Sequence, residues 1–171
     1  PEQYGEILRW AYIPVAVMLC SLVGFTGLYF RTGRAWLGWA GAGIRLLCVV
    51  INFTIPVNLN YREITALRTI DFLGEPVTIV ARATANPLNA LGHLGSLLIV
   101  LFVVDASFRL WKRGGCNNRR KALVVGGAVA LFVTLATVHS VLVRDGRIES
   151  PYLISFFYLG IGIVTLISAL N

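Results

Sequence analysis

Charge is scarce in this sequence. Only 13% of its 171 residues are Asp, Glu, Lys or Arg, while 57% are hydrophobic, and the mean hydropathy is +0.75. A water-soluble domain of this size needs a largely polar skin, so a soluble globular fold is excluded. Cysteine is scarce as well. Cys20, Cys48 and Cys116 form neither a CxxC pair nor an even set, which excludes a disulfide framework. Cys20 and Cys48 fall near mid-depth in apolar runs, where they could touch but read better as small buried hydrophobes. Catalytic signatures are absent too. There is no GxxxxGK(S/T) phosphate loop, no HExxH, no GxSxG and no CxxCH haem-attachment motif. Gly24, Gly27 and Gly33 lie within or just beyond an apolar run, not between a strand and a helix, so they are no nucleotide fingerprint. No internal repeat or pair of broken helices suggests a transporter. No catalytic residue is assigned, and whether the chain is part of an enzyme stays open at this point.

Long apolar runs are what the sequence has in abundance. Five of them, at 10–30, 35–55, 88–111, 122–143 and 151–170, each reach the roughly 20 residues that a helix needs to cross ~30 Å of hydrocarbon. The first is too long for a signal-peptide core and lacks a small-residue cleavage site, so it reads as a retained helix. The sequence opens on Pro1 rather than methionine, which leads us to expect residues upstream. The fold class expected is all-α and integral to the membrane: a single domain over 1–171, a bundle of five transmembrane helices with a short extracytoplasmic β-hairpin-like loop at 56–87. No room is left for a separate catalytic domain.

The net charge of +7 is a topology signal here, not the footprint of a nucleic acid, because it does not sit on a soluble surface. Arg31, Arg34, Lys112, Arg113, Arg119, Arg120 and Lys121 occupy two connections that hold no acid. The other connections mix Arg9, Arg62, Arg68, Arg82, Arg144 and Arg147 with seven acids. Basic loops stay in the cytoplasm, which puts the N-terminus outside and the C-terminus inside. Trp10, Tyr12 and Tyr152 then mark the outer boundary, and Tyr29, Trp36, Trp39 and Trp111 the inner one.

Within the helices, Pro14 falls one turn into the first run, where its missing N–H is tolerable, and Ser150-Pro151 reads as a cap with proline at the first position of the last helix. Ala122, Gly126, Ala130 and Thr134 recur every four residues as a smooth packing stripe. Gly38, Arg45 and Asn52 share one face of the second helix, which must point into the bundle. Arg45 lies near mid-membrane, where a bare charge costs ~2.5–3.5 kcal/mol and needs a partner. Asp105, the one acid inside an apolar run, is the expected partner, as a structural ion pair or a switch, with Arg109 a rival for it.

The loop 56–87 carries Ile64, Ala66, Ile70 and Phe72 on even positions, a turn at Leu73-Gly74-Glu75-Pro76, and the β-rich Val77–Ala81. That pattern suits a hairpin, although Ile64, Leu67 and Asp71 would also suit a short helix. A lone hairpin is marginal in water, so it should rest on the helix ends, covering a ligand pocket or sealing the bundle. Arg68 and Glu75 are its candidate signalling residues. His93 and His139 fall at similar depth, ~8 Å below the outer boundary. Facing each other they could ligate haem b or a metal; otherwise each bonds a neighbour such as Asn52 or Ser96, as packing or as part of a sensing device. No cofactor is expected on the leading reading.

One resemblance goes further. Ile64-Thr65-Ala66-Leu67-Arg68, Phe72-Leu73-Gly74-Glu75-Pro76-Val77, Asn86-Pro87, Leu91-Gly92, Val103-Val104-Asp105-Ala106, Arg120-Lys121-Ala122-Leu123-Val124-Val125-Gly126-Gly127 and Ser150-Pro151-Tyr152-Leu153-Ile154-Ser155 together resemble the membrane-embedded sensory region of bacterial PAS-containing sensor histidine kinases. The likeness covers about two thirds of the chain, and Leu28-Tyr29-Phe30-Arg31-Thr32-Gly33-Arg34 follows it more loosely. It implies a multi-pass protein of the bacterial inner membrane, a homodimer whose last helix runs on past Asn171 into cytoplasmic PAS, dimerisation and ATP-binding regions that act on a response regulator. Phosphoryl transfer would belong to those regions, since this stretch has no phospho-acceptor histidine or ATP site. Two other readings stand beside it: a b-type haem or quinone-associated subunit of a respiratory complex, with His93 and His139 as ligands, and a structural accessory subunit of a membrane assembly.

Overall fold

All five apolar runs fold as helices in the computed structural model, which describes residues 2–170. We name them α1 (Glu2–Phe30), α2 (Ala35–Thr54), α3 (Asn89–Lys112), α4 (Cys116–Arg144) and α5 (Ile154–Leu170). The first four are long and apolar enough to cross a membrane. The 17 residues of α5 extend over ~25 Å. Large apolar side chains such as Leu28 and Trp39 face outward, 79% and 74% exposed. An exterior of that kind suits lipid rather than water.

Several boundaries differ from expectation. α1 starts at Glu2 rather than near Trp10, so Pro14 sits in its interior and leaves the Trp10 carbonyl without its usual N–H partner. The last helix starts at Ile154, not at Pro151. Ser150 does not cap it, because its hydroxyl donates to the Pro151 carbonyl instead (2.9 Å).

The core runs along α1, α3 and α4, where Leu19, Phe30, Ile99, Phe102, Val103, Val125, Val129 and Val133 interlock. The second helix joins it by backbone approach to α3. A Cβ on Gly41 would stand 2.7 Å from Ile99 Cγ1 and 3.2 Å from the Gly95 carbonyl oxygen, so glycine is what lets these helices close up. The expected stripe on α4 holds only in part. Ala122 and Gly126 are buried, Ala130 is half-buried and Thr134 is exposed. Successive steps of four residues precess ~40° each around a helix of 3.6 residues per turn, so the inner face passes to Val129 and Val133. A π-helical turn at Ala122–Gly126 interrupts this helix after its first six residues, with Gly126 seated against Ser107 of α3.

The turn 31–34 and the connection 113–115 lie at the same end of the bundle. There the Thr32 hydroxyl donates to the Ala106 carbonyl (2.7 Å), and Lys121 stands 5.3 Å from the Tyr29 ring centroid.

The loop 56–87 is a hairpin, not a short helix. β1 (Tyr61–Phe72) and β2 (Glu75–Ala85) pair antiparallel, and the strands reach further than the sequence pattern indicated. Leu73 and Gly74, at φ 56° and 86°, form the turn. Two positive-φ residues match the right-handed strand twist, so Glu75 and Pro76 already belong to β2. Register shifts between Tyr61 and Leu67 break the even-number alternation: Ala66 is only half-buried, while odd-numbered Tyr61 is buried. The hairpin meets the bundle from its base as far as Arg68 and Ile79, which border a cavity shared with Tyr4 and Val143, and its tip is free, with Leu73 87% exposed.

Candidate functional site

At the hairpin end of the bundle lies a cavity of about 120 Å³ to which all five helices contribute. Leu8, Tyr12, Val15 and Leu19 come from α1, Arg45 from α2, Gly92, His93 and Ser96 from α3, Thr137 and Ser140 from α4, and Tyr158 from α5. Asn60, just before β1, and Tyr152, on the connection into α5, also line it. Gly92 is the reason polar groups can crowd here. A Cβ at that position would come within 2.9 Å of the Tyr12 hydroxyl and 3.5 Å of Arg45 Nη1.

Arg45 is the charge in this cavity. As the face-sharing argument requires, Gly38, Arg45 and Asn52 are all buried in α2, and Arg45 is only 8% exposed. Its expected partner is wrong, however. Arg45 Nη2 donates to the Ser96 hydroxyl, whereas Asp105 takes the Arg109 Nε (3.0 Å) and the backbone N–H of Arg34 (2.9 Å). Distance explains the correction: Asp105 is nine residues beyond Ser96 on α3, ~13.5 Å along the axis and past the reach of an arginine level with Ser96. Asp105 therefore ties the start of α2 to the basic end of α3. Arg45 has no carboxylate partner among the described residues, and its buried Nε has no hydrogen-bond partner at all.

The other candidates separate. Asn52 is fully buried outside the cavity and pins the end of α2, donating to the Arg9 carbonyl (2.9 Å) and accepting from the Leu59 N–H (2.8 Å). His93 lines the cavity, yet its partner is neither Asn52 nor Ser96. Arg144 Nη1 stands 3.0 Å from its Nε2, and because arginine has no acceptor, that ring nitrogen must accept. His139 instead reaches the Ser150 hydroxyl through Nε2 (3.0 Å), and its Nδ1 is buried without a partner. The two histidines thus engage different residues. Among the described residues no three His, Cys, Asp or Glu side chains gather as a metal site. Cys20 lies against the Ala42 carbonyl, and Cys48 packs with Tyr12 and Leu59.

Of the loop candidates, Arg68 pairs with Glu149 on the α4–α5 connection. The Arg68 guanidinium holds the Glu149 carboxyl below its ordinary range. Glu75 is exposed beside the hairpin turn and joins no site.

Sequence reasoning missed a second tie across the same gap. The hydroxyls of Tyr61 on β1 and Tyr152 stand 2.8 Å apart, and burial pushes the Tyr61 phenol up. Tyr152 borders both the Arg45 cavity and a smaller one of about 100 Å³ under the hairpin. Asparagines hold the hairpin base. The Asn58 side chain accepts from the Asn60 and Tyr61 N–H groups, and its carbonyl accepts from the Asn86 side chain (3.3 Å). A cluster of asparagines at a loop's two ends was a legible turn signal. Tyr12, expected at the outer boundary, is instead buried and lines the cavity, as does Tyr158.

No protein-family model matches this chain, and neither a curated protein nor a solved structure is significantly similar to it.

Proposed function

We propose that this chain is the membrane-embedded input module of a sensor histidine kinase, and that the Arg45 cavity is its input site. The observation that carries the reading is a buried, carboxylate-free arginine in a cavity walled in part by Tyr158 of α5 and by Tyr152, which leads into α5. A cation so placed weakens the fold, and such a residue inside a membrane is by default a functional one. The resemblance in the loop, in α3 and around Ser150-Pro151 supports the same class.

In this reading all five helices cross the inner membrane, with the hairpin outside and the basic end in the cytoplasm. A ligand that binds one arrangement of α5 more tightly than another shifts the population toward it. The displacement of α5 then passes inward to the catalytic regions, which act as a dimer on a response regulator.

The reading frame beyond the Asn171 codon tests the assignment. A continuation into PAS and kinase sequence supports it, and a continuation into a respiratory or unrelated membrane subunit overturns it. The haem-bearing alternative rests on His93 and His139 lying at the same end of adjacent helices. Purified protein separates the two: a Soret band lost in His139→Ala favours haem, and a colourless protein favours the sensory reading.

A further inference from the structure

We infer that the Arg45 cavity binds a monovalent organic carboxylate, its head on the guanidinium and a ring-sized apolar body against α1. The inference deepens the sensory reading and rests on it. Arginine stays charged at any accessible pH and offers five N–H donors in a planar fork. Here one nitrogen serves Ser96, the Tyr12 phenol stands beside the guanidinium as a second neutral partner, and Nε serves nothing, so the site is short of an acceptor for Nε and of a negative charge.

The charge balance sets the valence. Arg144, the nearest further cation through His93, is neutralised by Asp145 at 2.7 Å. One positive charge is left in the cavity, and a dianion such as phosphate would leave a net negative charge in a low-dielectric interior. Geometry favours a carboxylate, whose two oxygens match the guanidinium fork.

The walls set the body of the ligand. Leu8, Val15 and Leu19 give the cavity that Arg45 and Ser96 line an apolar wall from α1. A volume of about 120 Å³ is close to the ~150 Å³ of an apolar cavity that holds benzene. Tyr158 borders the same space, so an occupant fills the gap between α1 and α5.

Benzoate and its neutral isostere benzamide test this on the purified chain in zwitterionic phosphatidylcholine nanodiscs, with binding and backbone amide exchange measured together. Charge-assisted hydrogen bonds are about twice as strong as neutral ones, so benzoate should bind about tenfold or more tightly than benzamide. Arg45→Gln should abolish that preference and Arg45→Lys should keep part of it. Equal binding of the two compounds, binding of neither, or displacement of benzoate by equimolar chloride overturns the carboxylate assignment. The benzoate-to-benzamide ratio in the unsubstituted protein decides the matter even if a variant fails to fold. Amide exchange separates the two levels of the argument: charge-selective benzoate binding that leaves exchange in α5 unchanged upholds the ligand class and refutes the sensory reading.

Discussion

If Arg45 serves a ligand rather than the fold, replacing it with methionine should not harm the protein. Met is unbranched and flexible and fills the channel that the arginine stem occupies. The substitution relieves the cost of holding a charge at mid-helix, ~2.5–3.5 kcal/mol. It forfeits the charge-assisted bond to Ser96, a kind worth ~1.5–3 kcal/mol. The Ser96 hydroxyl can turn back to a carbonyl of its own helix. The balance runs from about neutral to a gain of ~2 kcal/mol, bought at the loss of ligand binding. Equilibrium unfolding in mixed detergent micelles, followed by tryptophan fluorescence, measures it. A buried residue with a real structural ion pair would behave otherwise, losing ~3–5 kcal/mol when its partner is stranded. A loss of that size in Arg45→Met would refute the reasoning and return Arg45 to a structural role.

Three further outcomes follow from the packing and the ion pairs. Gly41→Ala drives a methyl into Ile99, which has no exposed surface to yield into, and should cost ~1–3 kcal/mol in the same unfolding assay; an unchanged stability would show that α2 and α3 can separate. Asp105→Ala removes both the acceptor for the Arg34 N–H at the start of α2 and the Arg109 pair, and should cost ~1–2 kcal/mol, as loss of a helix cap does, while benzoate binding at Arg45 is untouched. The Glu149–Arg68 pair contributes only while Glu149 is ionised. Because the folded-state value is lowered, its contribution is complete above the ordinary carboxyl value of 4.5 and is lost as pH falls through the lowered one. Protection of the β1 amides, taken relative to the intrinsic exchange rate at each pH, should therefore hold steady from neutral pH downward and fall only in acid below that value, and Glu149→Gln should remove the acid step.

Much of the fold was legible because apolar length is read directly from sequence. The runs around residues 35–55 and 88–111 match α2 and α3 to within a few residues. The start of α1 was not legible, since Glu2, Gln3 and Glu6 are polar and only the structure continues the helix through them. The hairpin was legible from Leu73-Gly74 and its β-rich flank, but the register shifts near Ile64 were not, because a bulge leaves no mark on the hydrophobic pattern. For the site, burial of Arg45 followed from the polar residues spaced seven apart on one helix face. Its partner did not follow, because the stagger of two neighbouring helices is not written in their lengths: Gly33, ahead of α2, already packs on Ala106 of α3, which brings Arg45 level with Ser96 rather than Asp105. The tyrosines were missed for a related reason: an apolar residue with a polar tip declares its role only once the space around the tip is known.

The account turns on which end of the bundle faces outward, and the free, exposed Cys116 at the basic end gives direct access to the answer. Intact cells and inverted membrane vesicles carrying the protein can be treated with a membrane-impermeant maleimide, with Thr69→Cys on β1 as the reciprocal site. The account predicts that Cys116 is labelled only in inverted vesicles and position 69 in intact cells. Labelling of Cys116 in intact cells would place the Arg45 cavity at the cytoplasmic side and contradict a signal passed inward along α5.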